Sequence, residues 1–232
     1  MKKVLVIVPA YNEGTNLEGL FTKIRALKKS YDILVINDCS SDDTLDVCHR
    51  NSVTVVDLPV NLGIGGAVQT GYKYAKAHDY DFAVQIDGDG QHNPEYIEPM
   101  LERLEEGYNF CIGSRFIQND GFQSTFARRI GIRYFTSLIR SLTGFTVTDP
   151  TSGLRACDRN VIDCFNEYYP HDYPEPETLV LLKKKKYRIS EIPVIMNERA
   201  GGTSSISSFN SIYYMVKVTL AILISAFHRD RR

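Results

Sequence analysis

The sequence predicts an α/β fold: a mostly parallel, Rossmann-like sheet with helices on both faces. Two observations carry this. Short apolar runs alternate with segments of helical spacing through the first half of the 232-residue chain, the βαβα order that winds a parallel sheet. Three of those runs end in polar clusters, Pro9-Ala10-Tyr11-Asn12-Glu13, Asn37-Asp38-Cys39-Ser40 and Asp87-Gly88-Asp89. Ligands of such sheets bind outside the carboxyl ends of the strands.

The elements follow in order. Val4–Val8 is the first strand; it is too short for a signal peptide and has no small-residue cleavage site. Asn12–Leu27 places Leu17, Leu20, Phe21, Ile24 and Leu27 at helical spacing. Asp32–Asn37 is a strand. Ser41–Arg50 is a helix with Asp42 and Asp43 in its first turn, where the dipole favours acids. Val53–Leu58 and Asp81–Ile86 are strands on either side of a helix over Gly65–His78. Asn93-Pro94 is a cap followed by proline and opens a helix ending near Gly107. Phe110–Ser114 is a fifth strand. Beyond it the pattern loosens: a helix over Phe126–Leu142, a loop over Asp149–Arg155, a helix over Pro176–Tyr187, a strand over Arg188–Val194 and a polar loop from Asn197 to Ser205. The last apolar segment is Ser208–Phe227.

Length suits one large α/β domain or two small ones, and 43% hydrophobic with 24% charged residues is the make-up of a globular protein. A net charge of −1 gives no basic field for nucleic acid, so no nucleic-acid partner is expected. The five cysteines are odd in number and lack CxxC spacing. A disulfide framework and a zinc site are therefore not expected, and a reducing cytosol fits.

The chemistry centres on Asp87-Gly88-Asp89-Gly90-Gln91, at the end of an apolar strand. Carboxylates there need a cation or solvent. Oxygen ligands suit Mg2+ or Mn2+, which keep waters and share substrate phosphates. Read alone, the segment is equally a turn, since Asp-Gly pairs are turn formers. A dinucleotide site is not supported: the first strand leads into Pro9-Ala10-Tyr11-Asn12-Glu13-Gly14, which lacks GxGxxG, and no Walker lysine motif occurs.

Val8-Pro9-Ala10-Tyr11-Asn12-Glu13, Asn37-Asp38-Cys39-Ser40-Ser41-Asp42, Asn61-Leu62-Gly63, Asp87-Gly88-Asp89-Gly90-Gln91-His92 and Gly113-Ser114-Arg115 occur in order. In this the chain resembles the inverting family 2 glycosyltransferases of GT-A fold, over roughly residues 3–206. Asp149-Pro150-Thr151-Ser152-Gly153-Leu154-Arg155 and Glu198-Arg199-Ala200-Gly201-Gly202-Thr203-Ser204-Ser205 resemble the polyprenyl-phosphate branch, related to dolichyl-phosphate mannose synthase.

The resemblance implies roles. Pro9, Tyr11 and Glu13 would line the nucleotide pocket, Asp38 would face the base, and Asp87, Asp89 and Gln91 would hold Mg2+ or Mn2+ and through it the donor diphosphate. Arg199 would approach the same diphosphate. The implied donor is a UDP-sugar carrying a hexose or N-acetylhexosamine, with GlcNAc or Glc favoured, and the acceptor a polyprenyl phosphate, undecaprenyl phosphate in a bacterium. A phosphate acceptor is already ionised and needs charge compensation, for which Arg115, Arg129 and Arg133 are suited. Asp89, Asp149 and Glu177 are the candidate catalytic acids. Relatives with an acidic pair align with Tyr173-Pro174-Glu175-Pro176-Glu177, where Glu177 is equally a helix N-terminal acid. Short relatives with this pattern resemble enzymes supplying lipid-linked sugars for cell-wall polysaccharide decoration. Transfer to a saccharide hydroxyl and a non-catalytic sugar-nucleotide-binding subunit are the alternatives.

Residues 1–207 are expected to form the catalytic domain and 208–232 a membrane-associating or oligomerising helix with a basic tail. Ser208–Phe227 is long enough to span a bilayer, yet Lys217 is central and Ser208, Asn210, Ser211, Thr219 and Ser225 are polar. An interfacial helix is expected, with Lys183–Lys186 and the terminal arginines meeting anionic lipid; a last core helix is the alternative. The expected setting is the cytoplasmic face of the cell membrane, peripherally bound, with a small membrane protein or a second copy as possible partners.

Overall fold

β1 (Val4–Ala10) and β2 (Asp32–Asn37) are apolar at most positions because helices cover both faces of the sheet they occupy. They pair in parallel, and β1 pairs on its other side with β4 (Phe82–Gln85) while β2 pairs with β3 (Thr54–Asp57). β5 (Phe110–Ser114) pairs in parallel with β7 (Ile189–Pro193). Between β4 and β5 lies β6 (Arg155–Asp158), antiparallel to both. The seven strands run β3-β2-β1-β4-β6-β5-β7. The computed structural model describes residues 2–118, 126–172, 174–197 and 210–227.

One face of the sheet is covered by α1 (Gly14–Arg25), α2 (Thr44–Arg50) and α4 (Ile97–Glu105), which bury Leu17, Phe21, Val47, Ile97 and Met100 against Val6, Val35 and Val84. The other is covered by α3 (Gly63–Ala77), α5 (Phe126–Thr143), α6 (Arg159–Glu167), α7 (Pro174–Lys184) and α8 (Asn210–Phe227). These pack Val68, Phe135, Phe165, Leu179 and Ile222 over Leu5, Ile7, Leu34 and Phe110.

Several boundaries differ from expectation for local reasons. α1 starts at Gly14 rather than Asn12, because Asn12 adopts a left-handed φ of 56°. α2 starts at Thr44 rather than Ser41, because the Asp42 carboxylate accepts from the Thr44 N–H and hydroxyl and holds the preceding turn open. α7 ends at Lys184, and Lys186 turns left-handed at φ 64°. The expected loop over Asp149–Arg155 is a loop only to Leu154; β6 and α6 follow it.

The amino end of α3 docks on the segment before α7: the Gly65 N–H donates to the His171 carbonyl at 3.0 Å. A Cβ on Gly65 would lie 2.1 Å from that oxygen and 2.2 Å from the Pro170 oxygen. Both neighbours are backbone and cannot swing aside. Gly65→Ala is therefore expected to destabilise the fold by about 1–3 kcal/mol, read as a lower urea midpoint; an unchanged midpoint would show that the two segments separate freely.

Candidate active site

The loops after β1 and β2 are laced together by side chains. Asn12 N–H donates to Ser40 Oγ at 2.9 Å, and Asn12 Oδ1 accepts from Ser41 N–H at 2.8 Å. Gly14 N–H donates to Asp42 Oδ2 at 3.0 Å, and Glu13 N–H to Thr44 Oγ1 at 3.0 Å. Burial raises the Asp42 carboxyl, but these Thr44 and Gly14 hydrogen bonds outweigh it and hold the group below the usual carboxylate range. Pro9 is buried, Tyr11 is 54% exposed at the rim, and Glu13 is half-buried with Oε2 accepting from Asn16 at 2.7 Å.

Asp38 is 4% exposed. Its Oδ1 accepts from Leu62 N–H at 2.7 Å, so one carboxylate oxygen is committed to the loop that leads into α3. Sequence reasoning assigned Asp38 only to the base; its anchoring of Leu62 depends on a residue 24 positions away. Beside it, at the ends of β2 and β3, a cavity of about 390 Å³ is lined by Asn37, Cys39, Asp42, Asp57, Leu58 and Pro59. Asn37 Nδ2 donates to Asp57 Oδ1 at 2.7 Å and stiffens its floor.

β4 delivers Asp87, Asp89 and Gln91 to the same sheet edge. Asp87 and Asp89 are partly exposed, and Asp89 Oδ1 accepts from Gln91 N–H at 3.0 Å around Gly90, whose φ of 73° makes the turn. Gln91 Nε2 donates to the Asn197 carbonyl at 3.4 Å, and Asn197 N–H returns a bond to Gln91 O at 2.9 Å. The Gln91 amide oxygen is thereby turned to act as an acceptor. Asp87 N–H donates to His92 Nδ1 at 3.2 Å, so that ring proton sits on Nε2 and the 3.7 Å approach of Nδ1 to Asp87 Oδ2 is not an ion pair. Gly88 lies against the β1–α1 loop, where a Cβ would be 3.2 Å from Pro9 O and 3.5 Å from Glu13 Cγ.

Gly153 completes this corner. A Cβ there would sit 2.3 Å from Asp87 Oδ2, so the absence of a side chain lets the loop before β6 close on the carboxylate as it stands. Among the described residues no cluster of three or more His, Cys, Asp or Glu side chains could hold a metal. Two carboxylates and an amide oxygen are instead the kind of donor set that suits a hard ion taking its other ligands from water and phosphate.

The opposite wall departs from expectation. Arg115 and Asp149, assigned separately to the acceptor phosphate and to catalysis, are bonded to each other. Arg115 Nε and Nη2 reach Asp149 Oδ2 and Oδ1 at 2.6 and 2.7 Å, with the two residues 5% and 0% exposed. Arg115 Nη2 also donates to Thr151 Oγ1 at 3.0 Å. The fork is closed on Asp149, and both side chains are spent on joining β5 to the loop before β6.

Glu191, on β7, supports that pair. It accepts from Thr148 N–H at 2.8 Å, Thr148 Oγ1 at 3.0 Å and Asp149 N–H at 3.1 Å. Burial nonetheless pushes its carboxyl above the usual range, ahead of these bonds. In Glu191→Gln an amide N–H would confront donors. A loss of about 1–3 kcal/mol is expected in urea unfolding; no loss would show that the carboxylate does not hold this loop.

Arg155, the last residue of the Asp149–Arg155 motif, is 1% exposed beneath the site. It donates to Ser152 O at 2.7 Å, Pro150 O at 3.3 Å, Glu175 O at 2.8 Å and Thr178 Oγ1 at 2.7 Å. It thus clamps the Asp149–Leu154 loop onto the first turn of α7. Tyr169 lies alongside: its phenol is pushed well up first by burial, and it feels Arg155, Glu175 and Asp87 together. Glu177, in that turn, accepts from Tyr168 OH at 3.0 Å, and burial raises its carboxyl above the usual value. Arg129 and Arg133 sit on α5, half-buried and exposed respectively, on the α7 side of the sheet. Arg199 lies outside the described residues, as does most of the expected Asn197–Ser205 loop.

The family model for glycosyl transferase family 2 matches residues 5–165. The chain is 30% identical to the undecaprenyl-phosphate mannosyltransferase of Micrococcus luteus, over 88% of each chain. It is 27% identical to the UDP-N-acetylglucosamine–dolichyl-phosphate N-acetylglucosaminyltransferase of Methanococcus voltae, over 94% of this chain and 97% of that one. In fold it is similar to glucosyl-3-phosphoglycerate synthase from Mycobacterium tuberculosis, solved with Mn2+, UDP-glucose and phosphoglyceric acid, with a TM-score of 0.75, 19% identity and coverage of 99% of this chain and 82% of that one.

Proposed function

The chain belongs to glycosyl transferase family 2, and we propose that it moves a hexose or N-acetylhexosamine, GlcNAc or Glc in the first instance, from a UDP-sugar to a polyprenyl phosphate with inversion. The observation that carries this is the meeting of Asp87 with Gly153 and of Asp89 with Gln91 at one sheet edge, a corner we assign to the donor diphosphate. Both named transferases act on polyprenyl phosphates, which supports that acceptor class.

The cavity lined by Asn37, Cys39, Asp42 and Asp57 is suited to the uracil and ribose, and Asp38, Pro9, Tyr11 and Glu13 are assigned to the same nucleotide. Asp87, Asp89 and Gln91 would hold Mg2+ or Mn2+, whose charge compensates the diphosphate as the glycosidic bond breaks. The acceptor phosphate needs no base, only compensation and alignment. We assign that to Arg129 and Arg133, with Arg115 and Asp149 fixing the adjoining wall, and leave Arg199 to the donor diphosphate. Undecaprenyl phosphate is the carrier expected in a bacterium, at the cytoplasmic face of the membrane, with the product feeding cell-wall polysaccharide decoration.

Purified protein with Mn2+, a panel of labelled UDP-sugars and undecaprenyl phosphate tests this. Label is expected in the organic phase for one sugar, and mass spectrometry of the lipid identifies it. Label found only in an extended oligosaccharide would overturn the lipid acceptor and turn attention to Glu177 as a general base. Sugar-nucleotide binding with no transfer to either acceptor would leave a non-catalytic subunit.

A further inference from the structure

We propose that α5 and α8 together form a docking face for an anionic lipid bilayer, a reading that rests on the acceptor being a membrane lipid. α8 is two-sided. Val218 and Ile222 are 1% and 0% exposed and belong to the protein core, whereas Val216, Leu220, Ile224 and Phe227 are 55%, 54%, 67% and 74% exposed. Their i, i+4, i+8, i+11 spacing puts these four on one stripe. α5 continues the stripe: Ile130 and Tyr134 are 54% and 42% exposed while Phe135 and Ile139 face the core. The helices meet where Tyr134 OH and Thr219 Oγ1 lie 3.1 Å apart. There an apolar groove of about 230 Å³, lined by Tyr134, Met215, Val216 and Leu220, opens between them.

Charge selects the occupant. Both eighteen-residue helices lack Asp and Glu altogether, in a chain whose net charge is −1. Arg133 and Arg140 are exposed and flank Ile130 and Tyr134 on α5. At the carboxyl end of α8, Lys184 Nζ donates to Ser225 O at 3.1 Å, and Lys185 and Lys186 beside it are exposed. Asp172 lies against α8, ion-paired with Lys217 at 2.8 Å, and an apolar stripe otherwise edged by cations matches a surface with anionic headgroups above acyl chains. A second copy of the same face would bring arginines and lysines against their like. Among the described residues no helix is long and apolar enough to cross a membrane. With the inner side of α8 committed to the core, the helix would lie along the bilayer surface.

Sedimentation with sucrose-loaded vesicles tests this without any turnover. Vesicles with about one-third phosphatidylglycerol should bind the protein at low salt, roughly tenfold or more tighter than pure phosphatidylcholine. Leu220→Ser/Ile224→Ser should weaken binding to both by about tenfold or more. Lys185→Glu/Lys186→Glu should weaken binding to the anionic vesicles selectively. All four positions are exposed, and unchanged circular dichroism secures the fold of each variant. No vesicle binding, or a dimer in light scattering that these variants dissolve, would overturn the bilayer and give the face to a second copy. Vesicle binding without transfer to polyprenyl phosphate would overturn the acceptor instead and leave the docking face standing. Transfer to detergent-dispersed acceptor without vesicle binding would do the reverse.

Discussion

Asp89→Asn is expected to lower the rate of lipid-phosphosugar formation by about a hundred- to a thousandfold at saturating donor. The substitution is nearly isosteric, and the asparagine carbonyl can still accept the Gln91 N–H that Asp89 Oδ1 accepts at 3.0 Å. The Gly90 turn therefore survives, and the variant loses a charge rather than a shape. What disappears is half of the carboxylate pair proposed to face the donor diphosphate, in a corner where Gly153 lies against Asp87. Initial rates of organic-phase label at several Mn2+ concentrations make the measurement. A weaker dependence on Mn2+ alongside the loss would place the effect at the metal. Turnover equal to the parent would remove Asp89 from the diphosphate site.

Breaking the Arg115–Asp149 pair should have the largest effect on stability. Asp149→Ala leaves a guanidinium at 5% exposure without its carboxylate, and the expected cost is about 3–5 kcal/mol. The desolvation of Arg115 is unchanged while its compensation is gone. Replacing both residues by apolar ones, Arg115→Met with Asp149→Leu, should recover most of that loss, because neither desolvation penalty then arises. Urea midpoints of Arg115→Met, Asp149→Leu and the double variant form the cycle. An Asp149→Asn protein that matches the parent in stability but makes no product would instead identify Asp149 as a reacting group.

Elements whose burial is two-sided were legible residue by residue. Asp32–Asn37 and Phe110–Ser114 are strands with the predicted bounds, since a run covered on both faces is apolar throughout. Helix starts were displaced where a side chain competes with the helix for backbone donors, as Asp42 does ahead of α2. β6 was not legible. Of its four residues only Ala156 and Cys157 are apolar, and its strand state comes from the two neighbours it pairs with rather than from its own pattern. The donor corner could be read because Asp87, Asp89 and Gln91 are contiguous. The bond between Arg115 and Asp149 joins residues 34 positions apart, and no local spacing announces it. Glu191 looks like an ordinary strand residue until β7 is placed beside the Asp149 loop. The last segment was expected at a membrane interface or in the core; the structure shows a buried Val218–Ile222 side and leaves the outer side apolar.

The position of β6 also sets the order in which the chain can finish folding. β5 emerges before β6 yet is separated from β4 by it. A nascent chain that ends near residue 150 holds β4 and β5 with no strand to join them, each presenting an open edge. Docking β5 straight onto β4 would be a trap, because it must later be undone to admit β6. The amino-terminal part, β1 to β3 with its helices, is made of short-range parallel units and can consolidate early. The remainder waits for contacts of long sequence separation, which are slow to close. Refolding is therefore expected to be biphasic in rate, with amide protection appearing in β1 and β2 before β4 and β5.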